Sequence, residues 1–281
     1  MEVCVFGAGS LGSLVGGLLA GEHRVTLVGR EPHVGAVSER GLRLSGEFDR
    51  TVHPAAATTV PARADLAVVT VKSFDTPAAA RALADARLDA VLSLQNGLGN
   101  EATLADALDC PVLAGTCTYG ARLADPGHVE CTGLGTVALG PRAGGTSAVA
   151  DHVGQAFAAS GFDTVVAEDM PRRLWAKLAV NAGINAVTAL ARVPNGALVD
   201  GPARPVVAAA ARETARVAGE AGVALDTGAT VEQTLAVAES TAANTSSMLQ
   251  DVRAGTRTEV DAINGYVVDH ADDPVPVNET L

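Results

Sequence analysis

Lysine is nearly missing from this chain. Of its 281 residues 20 are basic, yet only Lys72 and Lys177 are lysines, and arginine supplies the rest. Lysine can lose its proton on burial while arginine stays charged, so the two lysines that remain are the first places to look for chemistry. Cysteine is also scarce. Cys4, Cys110, Cys117 and Cys131 show no CxxC spacing and no histidines at ligand spacing. They read as free thiols in a reducing compartment, and no metal site is expected. Apolar runs fall short of the ~18 residues that a membrane span requires. The chain starts directly with a strand pattern, so no signal peptide is expected and the cytoplasm is the default compartment. Positive charge is in deficit, with a net charge of -12. That argues against nucleic acid and against an anionic membrane surface as partners. Such acidity with few lysines would suit a salt-loving host. Internal repeats, low-complexity segments and a flexible linker are also lacking.

Apolar residues make up 48% of the sequence, enough to bury a real core, and the length allows two domains. Glu2 to Phe6 is a valine-rich run followed at once by Gly7-Ala8-Gly9-Ser10-Leu11-Gly12. Leu11 to Ala20 reads as a helix and Arg24 to Val28 as a second strand. In that setting GxGxxG has a mechanism. Gly7 permits a tight turn, Gly9 lets backbone approach a diphosphate, and Gly12 lets helix and strand pack closely. The diphosphate would sit on the free N–H groups at the helix start. The second strand ends at Arg30, which suits a ribose 2′-phosphate and so NADP, although the adjacent Glu31 blurs the choice.

Leu42 to Thr59 reads as a short excursion of strands. Asp65 to Val71 is a buried strand ending at Lys72, near the adenosine phosphate in such a sheet or merely at a surface strand end. Asp75 to Ala86 is helical. Ala90 to Leu94 is a strand ending Gln95-Asn96-Gly97, where Asn96 faces a ligand or simply makes an Asn-Gly turn. Glu101 to Leu108 is a helix. Strands follow at 112–115, 119–123, 128–131 and 136–140, with Asp125-Pro126-Gly127 as a turn. A helix at 148–159 and a strand at 163–167 close this half. From there on the pattern is helical, over 170–191, 203–222, about 228–243 and 246–270. The change predicts a domain boundary near 166–170. The fold class is therefore α/β: a doubly wound Rossmann-type sheet over 1–167, then an all-α domain over 168–281.

The helix 174–190 is apolar or small except for Lys177, Asn181, Asn185 and Thr188, which fall three or four apart in one stripe. A solvated face would carry several charges, and this one carries a single lysine. The stripe therefore reads as the wall of a polar cleft, with Lys177 as its working group. Further on, Asn244-Thr-Ser-Ser247 opens a helix whose free N–H groups would welcome a carboxylate. Ser246 and Ser247 read equally well as ordinary caps, and Glu259 equally well as a solvated helix charge.

Taken together, GxGxxG, Lys72, Leu94-Gln-Asn-Gly-Leu-Gly99, the Lys177/Asn181/Asn185 helix, Pro194-Asn195-Gly196, Ser246-Ser-Met-Leu-Gln-Asp-Val-Arg253 and Thr258-Glu259-Val-Asp-Ala-Ile-Asn-Gly265 resemble the ketopantoate reductase (2-dehydropantoate 2-reductase) family. The likeness runs in order from residue 2 to about 278. It implies a small-molecule keto acid substrate, NADPH as cofactor, and reduction of 2-dehydropantoate to (R)-pantoate in a cleft between the two domains. It implies Lys177 as general acid, and Gly7, Ala8, Gly9, Ser10, Leu11, Gly12, Arg30, Lys72, Asn96 and Ala121 as the NADPH site. Asn181, Asn185, Asn195, Asn244 and Ser247 would hold the keto acid beside Lys177, and Glu259 would lie where cofactor and substrate meet. Members of the family usually continue with a further helix after a segment like Val275-Pro-Val-Asn278, whereas this sequence ends at Leu281. Oligomeric state stays open, a homodimer included. Two rivals also stay open: another 2-hydroxy-acid or opine-type dehydrogenase, and a non-catalytic NADP-binding regulator, which would need no Lys177 stripe.

Overall fold

A computed structural model describes all 281 residues. The strands are β1 (Glu2–Phe6), β2 (Arg24–Val28), β3 (Leu42–Gly46), β4 (Arg50–Val52), β5 (Ala55–Ala57), β6 (Arg63–Val69), β7 (Arg87–Ser93), β8 (Val112–Cys117), β9 (Gly120–Asp125), β10 (His128–Gly133), β11 (Thr136–Pro141) and β12 (Asp163–Val166). The helices are α1 (Ser10–Leu19), α2 (His33–Arg40), α3 (Thr76–Leu83), α4 (Asn100–Ala105), α5 (Ala148–Ala159), α6 (Met170–Ala191), α7 (Arg204–Glu220), α8 (Thr227–Ser240), α9 (Ser247–Ala254), α10 (Tyr266–Asp269) and α11 (Pro276–Thr280). The chain divides into two compact units. One is Met1–Gln95 with Gly99–Met170, and the other is Asn96–Leu98 with Pro171–Leu281.

The first unit holds an eight-stranded sheet in the order β12-β11-β8-β7-β6-β1-β2-β5. All neighbours are parallel except β11 against β8. β1 sends its chain to β2 on one side, and the chain returns to β6 on the other. The C-terminal ends of β1 and β6 thus form the reversal point where doubly wound sheets receive ligands. β1 is buried on both faces, Val3 and Val5 entering one core and Cys4 another, which is why its sequence is continuously apolar rather than alternating. Burial pushes the Cys4 thiol up to about 12, so it behaves as a small apolar filler.

The strands read over 42–59 are present, and three features go beyond or against the sequence reading. Residues 42–52 do not extend the main sheet. They join the 120–133 hairpin in a second sheet, β4-β3-β10-β9, with β3 parallel to β10. α1 lies between the two sheets. A Cβ on Gly16 would stand 2.3 Å from a Leu27 methyl, and one on Gly17 2.8 Å from a Leu44 methyl. Two-sided packing makes the helix apolar all round. Second, α2 forms where no helix was read. It is one of the shorter helices and begins directly after Glu31-Pro32, with the Glu31 carboxylate accepting the Gly35 N–H at 3.0 Å. Third, the stretch 246–270 is not one helix. α9 stops at Gly255, which takes the left-handed conformation (φ 66°), while the Thr256 N–H reaches back to the Asp251 carbonyl at 3.0 Å. The chain resumes with a π-turn at Asp261–Gly265 that runs into α10.

In the second unit α6 is flanked by apolar side chains on two sides. Trp175, Leu178, Ala182 and Ala186 pack with Met248, Leu249 and Ile263, while Ile184 and Val187 pack with Leu198 and Val207. By length and composition α6 is long and apolar enough to cross a membrane, a property it shares with buried core helices. Most of its apolar residues are buried, many of them in these two clusters, while Leu190 is exposed.

Candidate active site

The glycine turn sits against the end of β6. Thr70 donates its hydroxyl to the Gly7 carbonyl at 2.9 Å. Gly7 has φ 111°, and a Cβ there would stand 2.7 Å from the Val71 nitrogen. A Cβ on Gly12 would stand 2.1 Å from the Gly7 carbonyl oxygen. Both positions require glycine for the protein's own packing. Gly9 differs. Its φ of -84° and ψ of -157° suit any residue, and a Cβ would meet nothing nearer than 4.0 Å. Neither its backbone angles nor packing requires a glycine there, whereas a ligand lying over the turn would. Beyond it the N–H groups of Ser10, Leu11 and Gly12 form the first turn of α1, where no carbonyl one turn back can receive them. Ser10 also accepts the Leu123 N–H at 3.0 Å, which ties this turn to β9, the strand bearing the half-buried Ala121.

Arg30 and Lys72 follow β2 and β6 in this same unit. The Arg30 guanidinium is exposed and lies 3.5 Å from Asp75. Glu31, the residue that blurred the cofactor choice, spends its carboxylate on capping α2. Lys72 is half-buried and opens a short 3₁₀ turn at Ser73–Asp75. Gln95, buried at the end of β7, donates to the Val71 carbonyl at 3.1 Å and to Thr76 at 2.7 Å, and Thr76 donates to Asn100 at 2.7 Å. These bonds hold the two strand-end loops together.

In the second unit the polar stripe of α6 grades from open to closed. Lys177 and Asn181 are half-buried, Asn185 is buried, and Thr188 is wholly enclosed. Thr188 faces no solvent. Its hydroxyl donates to the Ile184 carbonyl at 2.8 Å and lies 2.7 Å from the Ser246 hydroxyl. Ser246 in turn accepts the Leu249 N–H, so it is the α9 cap. Ser247 and Asn244 are exposed beside it. Asn195 is buried and directed into the protein: it donates to Thr241 at 2.9 Å, and its N–H donates to the Asn244 carbonyl at 3.1 Å. Glu259 is 5% exposed, no solvated charge, and accepts from the Asn96 amide at 3.2 Å. Gly97, at φ 78°, brings this loop against Ala262, where a Cβ would stand 2.6 Å from the carbonyl oxygen.

Residues 3–144 match the profile described as "Ketopantoate reductase PanE/ApbA", and residues 169–281 match its C-terminal counterpart. The chain belongs to the ketopantoate reductase family. A 2-dehydropantoate 2-reductase of Halobacterium salinarum is 47% identical over 295 residues, covering 100% of this chain and 96% of that protein. A ketopantoate reductase structure from Ralstonia eutropha shares the fold with a TM-score of 0.89 at 34% identity, covering 100% and 95% of the two chains. D-mandelate dehydrogenase, solved with NADH and anilino(oxo)acetate, superposes with a TM-score of 0.93 at 23% identity over 100% and 95%. That last likeness is one of fold alone. The family is one of NAD(P)-dependent oxidoreductases.

Sequence reasoning passed over His33. It is buried, with both ring nitrogens occupied: Gly127 donates its N–H to Nδ1 at 3.0 Å, and Nε2 lies 2.9 Å from the Ser13 hydroxyl. A backbone N–H can only donate, so Nδ1 is bare and Nε2 carries the proton. Burial also pushes this imidazole below its usual pKa.

Proposed function

We propose that this chain reduces 2-dehydropantoate to (R)-pantoate with NADPH, a step toward coenzyme A, in the cytoplasm. The observation that carries the reading is the α6 stripe. Lys177 is the one charge beyond the first turn of a 22-residue helix, one and two turns from Asn181 and Asn185, in the compact unit that also holds the buried Glu259 and Asn96.

The turn at Gly7, Ala8, Gly9, Ser10, Leu11 and Gly12 fits a dinucleotide, because Gly9 leaves a cradle that a Cβ would fill. In this reading the first-turn N–H groups of α1 bind the diphosphate. Arg30 and Lys72 bind the 2′-phosphate, and the capping role of Glu31 removes the carboxylate that would favour NAD. Ala121 and Asn96 border the cofactor. The nicotinamide, when bound, supplies the hydride.

The rest is the chain's own work. Asn181 and Asn185, with the exposed Asn244 and Ser247 at the start of α9, orient the keto acid, and the free N–H groups of that turn receive its carboxylate. Asn195 supports them through Asn244. As the carbonyl carbon gains hydride, negative charge grows on oxygen. The Lys177 ammonium stabilises that charge and delivers the proton, giving the alcohol and a neutral amine that solvent reprotonates. Glu259 balances the lysine charge, its orientation held by Asn96.

Initial rates at 340 nm with ketopantoate, a panel of other 2-keto acids, and either NADPH or NADH test this directly. Lys177→Met is expected to lower kcat by about 10²–10⁴ with nucleotide affinity unchanged by calorimetry. Faster turnover of another keto acid would replace the substrate. A Lys177→Met enzyme keeping most of its kcat would remove the assigned acid. A folded protein that binds NADPH and reduces nothing would favour the regulator.

A further inference from the structure

Arg30 must be held somewhere definite if it is to read a phosphate, yet its own side chain is exposed and makes a long contact to Asp75. What fixes it is its backbone. The Arg30 carbonyl accepts the Val34 N–H of the first turn of α2 at 3.3 Å. Gly29 before it lies so near the glycine turn that a Cβ would stand 2.8 Å from Ala8 Cβ. Position therefore depends on where α2 begins, and α2 is short, with Pro32 as its N-terminal flank and the Glu31 carboxylate on its Gly35 N–H. Its first residue is His33. From that residue Nε2–H reaches Ser13, one turn into the diphosphate helix α1, and Nδ1 holds the Gly127 N–H at the tip of the β9–β10 hairpin. A polar side chain with both nitrogens committed, buried where leucine would pack, requires a reason other than burial.

We propose that His33 is a positioning residue for cofactor preference: by tying α2 to Ser13 of α1, it holds Arg30 at a set distance from the diphosphate turn and so makes the 2′-phosphate count. The proposal rests on Arg30 as the 2′-phosphate ligand. His33 touches no ligand itself.

The test uses equilibrium binding, by calorimetry, of adenosine 2′,5′-bisphosphate and of 5′-AMP to the full-length enzyme. Their affinity ratio isolates the 2′-phosphate. His33→Leu keeps the volume and removes both bonds. It is expected to lower the ratio about tenfold, the worth of one well-placed hydrogen bond, with 5′-AMP affinity and kcat near wild type. His33→Gln, whose amide nitrogen reaches the Nε2 position, is expected to restore most of the ratio. Arg30→Ala serves as the reference. If it leaves the ratio unchanged, the 2′-phosphate reading fails and takes this proposal with it. If Arg30→Ala lowers the ratio and His33→Leu does not, only the proposal falls. An equal loss of affinity for both ligands in His33→Leu would mark general damage and also overturn it. Should His33→Leu not fold, Ser13→Ala removes the Nε2 partner alone, and the same fall in ratio is expected; an unchanged ratio refutes the proposal.

Discussion

Gly9 and Gly12 belong to one motif but are glycine for different reasons, and alanine at each separates the two. At Gly9 the backbone angles are open to alanine, and the added methyl carbon stands 4.0 Å from its nearest neighbour. Restricting the unfolded chain gains about 0.4–1 kcal/mol. Gly9 is also the residue that starts α1, and alanine is a poorer start than glycine, at a cost of about 0.5–1 kcal/mol. The two offset, so Tm should stay within roughly 3 °C of the parent. Binding should not stay. A methyl group projecting from the cradle obstructs a diphosphate lying over the turn, and the NADPH dissociation constant should rise at least tenfold, about 1.4 kcal/mol. Gly12→Ala places its methyl 2.1 Å from a backbone carbonyl oxygen and 2.5 Å from the Thr70 hydroxyl. Neither can yield cheaply, so folding itself should lose about 1–3 kcal/mol or more. Differential scanning calorimetry with and without NADPH reads both. A Gly9→Ala protein that keeps its Tm and binds NADPH as before would show that no diphosphate crosses this turn.

Thr188→Val keeps shape and removes the hydroxyl that meets Ser246 in an enclosed space; it should cost about 1–3 kcal/mol in urea unfolding and raise KM for the keto acid, because Ser246 starts the helix that carries Ser247. Unchanged stability together with unchanged KM would end that reasoning. Acid should weaken the fold through His33: its native pKa lies below the unfolded value of about 6.5, so the unfolded chain takes up the proton first. Stability from this group is complete above pH 6.5 and declines, by at most about 1.4 kcal/mol per pH unit, as pH falls from there toward the lowered native value. The parent's advantage over His33→Leu should shrink across that window, and a constant difference would contradict the assignment.

The parts of this fold that follow from local periodicity were legible in the residues. β1, α5 and α6 stand where their patterns put them, because each buries a regular face or two. The second sheet was not, because β3 and β10 pair across some eighty residues of chain and nothing local to either announces the other. Residues 246–270 read as one helix because Met248, Val252 and Ile263 fit one apolar face, and Gly255 with positive φ ended its first part. In the candidate site, Lys177 stood out by rarity and as the single charge of its stripe, whereas Thr188 looked like its neighbours in the stripe and proved to be a buried tie. His33 was invisible because a lone histidine in a short segment carries no period.

Asn96–Leu98 belongs to the unit that otherwise begins at Pro171. That division has a consequence for recombination among relatives. A chimera joined at 170/171 inherits Glu259 and Ala262 from one parent and the loop that packs against them from the other. The bond from the Asn96 amide to Glu259, and the close fit of Gly97 on Ala262, would then depend on two ancestries agreeing. An exchange meant to transfer the helical unit intact must carry two stretches of gene, the second only three codons long.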